Sequence, residues 1–166
     1  MLLEKKICML GTLAVGKTSL VRRFIEGIYS EDYHTSIGVK VDKKPLREAG
    51  QEVNLVLWDI YGEDRFQHVQ PSYWRGMSGY LLVVDGTRRT TLDEAMALSQ
   101  RVIDTGLKVP AVLLVNKADL ADQWEISDDR LAQLTQGGWE IMRTSAKTGE
   151  NVDAAFSRLT LKMLGK

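Results

Sequence analysis

Three short runs, Ile7 to Leu10, Tyr80 to Val84 and Ala111 to Val115, are apolar without interruption. That pattern predicts strands covered on both faces, as in a parallel sheet with helices on either side. Each run ends in a polar or glycine-rich turn. Gly38 to Leu46 and Glu52 to Asp59 instead alternate apolar with polar residues around Glu48-Ala49-Gly50-Gln51, which predicts a hairpin. Apolar residues three and four apart predict helices over Lys17 to Glu26, Leu92 to Asp104, Asp128 to Thr135 and Asn151 to Leu164. Strands alternating with helices, plus one local hairpin, make a three-layer α/β domain of about six strands. In such sheets ligands sit at the carboxyl ends of the strands. Residues 30 to 38 and 60 to 76 read as loops within the domain, and loops of that length are usually functional or mobile.

Composition narrows the picture. At 166 residues, 44% hydrophobic and 27% charged, the chain fits one soluble domain over residues 1–166 with a substantial core. Twenty-two basic and 22 acidic residues cancel, so bulk charge provides no drive toward nucleic acid or an anionic membrane. Cys8, the one cysteine, lies in the first apolar run and is expected to be a buried, inert thiol. The opening MLLEKKICML lacks the apolar stretch of a signal peptide or membrane span. LKMLGK at the other end has no cysteine to prenylate, and Leu2 stands where myristoylation needs glycine. A cytoplasmic protein without an intrinsic lipid anchor is the expectation. His34 and His68 have no metal-ligand spacing.

The candidate chemistry sits where the predicted strands end. GTLAVGKT, residues 11 to 18, reads GxxxxGK[ST] between a buried strand and a helix start. A loop so placed points backbone N–H groups and the positive end of the helix dipole at a phosphate chain. Gly11 and Gly16 permit a tight wrap through Leu13, Ala14 and Val15, with Ser19 following in the helix. Lys17 can reach outer phosphates and the Thr18 hydroxyl can ligate Mg²⁺. The run Leu55 to Trp58 ends in Asp59, which can support Mg²⁺ through water, and Gly62 three residues on allows an N–H to approach a terminal phosphate. By itself this DIYG is also compatible with a strand ending in a surface aspartate. Asn116-Lys117-Ala118-Asp119 follows the third apolar run. A carboxylate at Asp119 accepts from N1–H and the 2-amino group of guanine, a donor pair that adenine lacks. A wrong base would leave that carboxylate desolvated and unpaired. Thr144-Ser145-Ala146-Lys147 can support the base and Asp119.

GTLAVGKT, TSIGV, WDIYGEDRF, NKAD and TSAK stand in the order found in the small Ras-like GTPases, and the likeness spans essentially the whole chain. The chain resembles most, within that group, the Rab-type or bacterial Rab-like members. The resemblance implies a P-loop G domain with a six-stranded, mostly parallel sheet, one antiparallel strand and about five helices. It further implies binding of GTP and GDP with Mg²⁺, slow hydrolysis, and switch loops that recognise protein effectors and regulators. By position, Lys17 would contact the β- and γ-phosphates, Thr18 and Ser36 would ligate Mg²⁺, and Asp59 would support it through water. Gly62 would donate to the γ-phosphate, Tyr33 could cover the phosphates, and Asn116, Lys117, Asp119, Ser145, Ala146 and Lys147 would form the base end. Tyr29 would lie against the guanine or be a packed aromatic.

Three departures bear on catalysis. The family's water-orienting glutamine is here Glu63, whose carboxylate accepts from water but cannot donate and is repelled by a γ-phosphate. Glu63 is either a catalytic group or a solvated loop residue. Leu13 replaces a glycine of Ras proteins and would crowd an inserted arginine, a group contributing about 10³ to 10⁵ in rate to GTPases of this kind. Ile60 and Tyr61 replace the small residues of DTAG, so Tyr61 could stiffen the loop or obstruct it. Ile37, Val39, Trp58, Phe66, Tyr73 and Trp74 lie in or beside the switches and are either partner surface or core. Two functions follow: a GTP-hydrolysing switch, or a nucleotide-dependent binding module with negligible hydrolysis.

Overall fold

The structure, a computed structural model, describes residues 2–27, 29, 38–61 and 71–166, without the side chains of Ile60 and Tyr61. Six strands form one sheet: β1 (Leu3–Leu10), β2 (Gly38–Glu48), β3 (Gln51–Tyr61), β4 (Gly79–Asp85), β5 (Ala111–Asn116) and β6 (Ile141–Arg143). Their order is β2-β3-β1-β4-β5-β6. Only the β2–β3 pairing is antiparallel; β1 pairs in parallel with β3 and β4, and β5 with β4 and β6. Four α-helices lie among the described residues: α1 (Lys17–Glu26), α2 (Thr90–Asp104), α3 (Asp128–Gln136) and α4 (Val152–Met163). Short 3₁₀ segments occupy Pro71–Trp74 and Ala118–Gln123. No helix among the described residues is long and apolar enough to cross a membrane.

The period of two along each strand sorts the apolar runs into two layers. Ile7, Met9, Leu81, Val83, Val112 and Leu114 face α1 and α4, where Phe24 and Phe156 stack with ring centroids 3.9 Å apart. Cys8, Leu10, Leu82, Val84, Leu113 and Val115 face the other way, against Leu92, Ala95, Leu98 and Val102 of α2. The predicted helices and strands are recovered within two residues at each helix end. Cys8 is buried as expected, and burial pushes its thiol up to about 12.

Pairing extends the hairpin beyond its sequence pattern, from Glu48 opposite Gln51 to Gly38 opposite Tyr61. Ala49 and Gly50, both at positive φ, form the two-residue turn, a geometry matched to strand twist. Gly38 opens β2 as the hairpin pattern predicts, whereas Ile60 and Tyr61, expected in a loop, belong to β3, because backbone pairing continues after side-chain alternation has ceased to signal it. The segment 71–74, also expected as loop, turns under the sheet. Tyr73 and Trp74 are therefore core, at 6% and 1% exposure, which decides against their being partner surface. Trp58 is half-buried beneath the Lys6 ammonium, and Val39 is exposed. Expectations for Tyr33, His34, Ser36, Ile37, Gly62, Glu63, Phe66 and His68 lie outside the described residues.

Candidate functional site

The ends of β1, β3, β4 and β5 meet the start of α1 at one edge of the sheet. Gly11 follows β1 and Lys17 opens α1, so the loop between the two elements has six residues, 11–16. Ala14 and Gly16 have φ of 61° and 106°. A side chain at Gly16 is excluded by contact as well as conformation, since a Cβ there would lie 2.2 Å from Asn116 Nδ2. The amide of Asn116 uses that space to donate to the Val15 carbonyl at 3.0 Å, while Thr144 Oγ1 donates to Asn116 Oδ1 at 3.0 Å. Among the described residues, the N–H groups of Ala14, Val15 and Gly16 meet no acceptor. They lie beside the uncapped start of α1, where the first N–H groups of a helix also lack intrahelical partners. Unmatched donors next to a helix N-terminus form an anion site.

Lys17 lies inside this loop at 6% exposure, its Nζ donating to the carbonyls of Gly11 at 2.6 Å and Thr12 at 3.4 Å. Thr18 Oγ1 donates to Asp59 Oδ2 at 2.7 Å, linking α1 to the end of β3. Asp59 is 1% exposed, and its Oδ1 has no hydrogen-bond partner among the described residues. Thr12 Oγ1 is likewise buried and unmatched. Such atoms are expensive in a native structure, about 1 to 3 kcal/mol each, and call for a missing partner. Ser19 follows in the first turn of α1, half-buried.

Electrostatics sharpen the same point. Burial lowers the Lys17 ammonium from 10.5 to about 8, against the pull of Asp59. Burial raises the Asp59 carboxyl from 3.8 to about 6, opposed by the Thr18 hydroxyl and by Lys17. For Lys17 the unfolded chain holds more protons between about 8 and 10.5, so stability rises with pH there and the penalty is complete below about 8. For Asp59 the folded chain holds more protons between 3.8 and about 6, so stability falls with rising pH there and the penalty is complete above about 6. Near neutrality both penalties act together. Burial thus disfavours the charged forms of two neighbouring groups, and an anion near Lys17 or a cation near Asp59 would relieve that, the conflict expected at a functional centre.

The other half of the edge is built from β5 and the loop after β6. Lys117, at φ 69°, donates to the Ala14 carbonyl at 3.0 Å and pairs with Asp85 Oδ2 at 2.9 Å. Asp119 is exposed, and Ser145 Oγ donates to its Oδ1 at 2.7 Å. Ser145 Oγ in turn accepts from the Thr148 N–H at 3.1 Å. Ala146 is buried and Lys147 exposed beside them. Arg23 of α1 holds this loop through the carbonyls of Lys147 and Thr148, at 3.3 and 3.2 Å. Tyr29 is exposed, at 38%, rather than packed into the core. Leu13 is exposed too, at 41%.

Sequence reading missed Asp85, Thr87, Arg88 and Arg23. Asp85 ends β4 just as Asn116 ends β5, so its position on the ligand edge was a usable signal. It is buried, and hydrogen bonds from Thr87, Lys117 and Arg88 outweigh burial to hold its carboxyl below the usual range. Arg23, and the reach of Arg88 to the loop, carried no signal, since the backbone carbonyls they hold are more than 120 and 75 positions away. No group of three or more histidine, cysteine or acidic residues gathers for a metal among the described residues. A magnesium ion, which keeps several waters and uses substrate phosphates, needs no such cage. The buried, unmatched Asp59 Oδ1 beside the Thr18 hydroxyl fits one.

Comparison with known proteins agrees with this geometry. The Ras family matches residues 6–165. Similar curated proteins include the Ras-related protein Rab-7L1 of Rattus norvegicus, 34% identical over 96% of this chain and 81% of that protein. The Ras-related protein Rab-4A of Rattus norvegicus is 35% identical, covering 97% and 75%. The GTP-binding protein Rheb homolog of Dictyostelium discoideum is 33% identical, covering 94% and 85%. With the sheet order, the loop at its edge and this breadth of likeness in agreement, the chain belongs to the Ras family of small GTPases and is Rab-like among them.

Proposed function

We propose that residues 1–166 form one G domain whose strand-end edge grips GTP and GDP at both ends. The chain is a GTP-binding switch and a GTPase, as family membership indicates. That membership favours hydrolysis over an inert nucleotide-loaded module. The observation that carries the residue-level reading is the pairing of unmatched loop N–H groups with an exposed Asp119 whose carboxylate is oriented by Ser145. In this reading the N–H groups from Leu13 to Ser19 and the Lys17 ammonium hold the phosphates. Asp119 accepts from guanine N1–H and the 2-amino group, Asn116 and Lys117 fasten the two halves, and Ala146 and Lys147 border the base with Tyr29.

Thr18 and Asp59 would hold Mg²⁺, with Ser36 joining them when GTP is bound. The ion would neutralise charge on the phosphates. Lys17, its Nζ held by the Gly11 and Thr12 carbonyls, does the same from the protein. Gly62 and Glu63 act on the γ-phosphate and the attacking water, Tyr33 covers the phosphates, and the switch loops present the surface read by protein effectors and regulators. Transfer is in line to water and needs no covalent protein intermediate. A cytoplasmic location fits this role.

Nucleotide extracted from freshly purified protein and identified by chromatography tests the binding reading. GDP or GTP is the expected content. Magnesium-supplied protein that prefers ATP would overturn it. Hydrolysis is expected to be slow, because a Glu63 carboxylate near the γ-phosphate would add negative charge and has no amide to donate. Glu63→Gln should raise the single-turnover rate, by roughly tenfold for one restored donor. An unchanged rate would remove Glu63 from the water's surroundings, and a lower one would show that its carboxylate assists the attack rather than hinders it.

Phosphate binding should also change the charge of Lys17. In the free protein its ammonium deprotonates near 8, whereas a polyphosphate favours the charged form. Binding at about pH 9 should therefore take up close to one proton, the uptake fading below about pH 7. Asp59 is ionised in both states at that pH and contributes nothing. Calorimetry in two buffers of different ionisation enthalpy measures this directly, and buffer-independent heats at pH 9 would contradict it.

A further inference from the structure

Arg88, just beyond β4, belongs to none of the motifs, yet it reaches the phosphate loop. Its Nε donates to Asp85 Oδ2 at 3.0 Å and its Nη2 to the Leu13 carbonyl at 2.8 Å. The neighbouring carbonyls are held the same way: Ala14 by Lys117 at 3.0 Å and Val15 by Asn116 at 3.0 Å. Three consecutive carbonyls are thus drawn toward side chains from the ends of β4 and β5. No cis peptide interrupts the described chain, and in a trans peptide the N–H points opposite to its C=O. Each of these contacts therefore turns the next residue's N–H away from the holding side chain. The N–H groups so turned belong to Ala14, Val15 and Gly16, the same three that meet no acceptor among the described residues.

We propose that Arg88 is a positioning residue for the nucleotide, holding the Leu13 carbonyl so that the Ala14 N–H faces the phosphates, and thereby lengthening the time that GDP stays bound. Asp85 is the counter-charge shared with Lys117, and it fixes the guanidinium in place. Lys117 and Asn116 come from the base-reading motif; Arg88 supplies a third hold from a different strand. Its side chain is 44% exposed, so water competes for the contact and the effect is moderate rather than absolute. The inference rests on the nucleotide reading of the pocket.

The test is dissociation of fluorescent GDP from the wild-type protein, Arg88→Ala and Arg88→Lys in the presence of Mg²⁺, together with competition by guanosine, which has no phosphate. Loss of one charge-assisted hydrogen bond should speed GDP release from Arg88→Ala by roughly tenfold. Arg88→Lys, which keeps a charged donor, should release more slowly than the alanine variant. Guanosine competition should be the same in all three, because Arg88 touches neither Asp119 nor the Ser145 loop. A purely structural role would weaken guanosine and GDP alike, and that result overturns the proposal. So does an alanine variant that releases GDP at the wild-type rate. If the wild-type protein itself takes up no GDP, the pocket reading falls and the role of Arg88 falls with it, an outcome distinct from the other two.

Discussion

Asp119→Asn is expected to turn the base preference of the pocket from guanine to xanthine. The carboxylate offers only acceptors, matched to the two donors on one edge of guanine. An asparagine amide placed by the same Ser145 hydroxyl, now 2.7 Å from Asp119 Oδ1, would instead set an N–H₂ group against the guanine amine. Xanthine carries an oxygen at that position and accepts from the amide. A site built to pair a substrate donor rejects the wrong group by about 10⁴-fold in favourable cases. The exposure of Asp119 softens this, so a loss of about 10²-fold or more in GTP affinity is the expectation. Competition between GTP and the xanthine triphosphate for the variant measures it. A variant that still prefers GTP would show that the specificity lies elsewhere.

Lys17→Ala should lower GTP and GDP affinity by roughly 10³-fold, the worth of one charge about 4 Å from a phosphate in a partly screened site. Stability of the nucleotide-free protein should move the other way or scarcely at all, because the variant no longer buries an ammonium whose protonation burial disfavours. Lost affinity without lost stability separates a ligand-binding lysine from a structural one. Thermal unfolding with and without nucleotide reads both effects: the variant keeps its basal transition and loses the nucleotide-dependent rise. Lys17→Met, which fills the same space without charge, guards against a cavity effect. Retained affinity in either variant would remove Lys17 from the phosphate site.

The two variants probe opposite ends of a pocket that free energy leaves incomplete. At neutral pH the protein bears the burial of Lys17, of Asp59 and of the unmatched Asp59 Oδ1 at once. These penalties lie within one loop and one strand end rather than across the core. Nucleotide and Mg²⁺ binding would offset them together, which makes the stability of this fold depend on its ligand more than the packing of the two core layers would suggest.

How much of this could be read along the chain depends on whether the signal is local. The apolar runs of β1, β4 and β5, the alternation of β2 and β3, and the helix spacings are neighbour-to-neighbour patterns, and hydrophobic periodicity reports them. The phosphate loop is legible for the same reason, as its glycines and Lys17 act within eight consecutive residues. The ends of β2 and β3 were not legible, because hairpin pairing from Gly38 to Tyr61 runs on through backbone contacts. Tyr73 and Trp74 were ambiguous because an aromatic residue looks the same whether it awaits a partner or fills the layer under β4.

The linear order of residues determined the α/β architecture, the loop proposed to hold phosphate, the guanine contact proposed at Asp119 and the family to which they point. Only the tertiary structure decided that Asp85 is shared by Lys117 and Arg88, that Arg23 steadies the Ser145 loop, and that three successive carbonyls are held so that their N–H partners face away. Apart from the Asp85 pairs, these contacts join a side chain to a backbone group far away in sequence. A backbone carbonyl has the same chemistry at every residue, so nothing in its identity announces the arginine that will reach it. Folding alone brings the strand ends to one edge and chooses which carbonyl each cation meets.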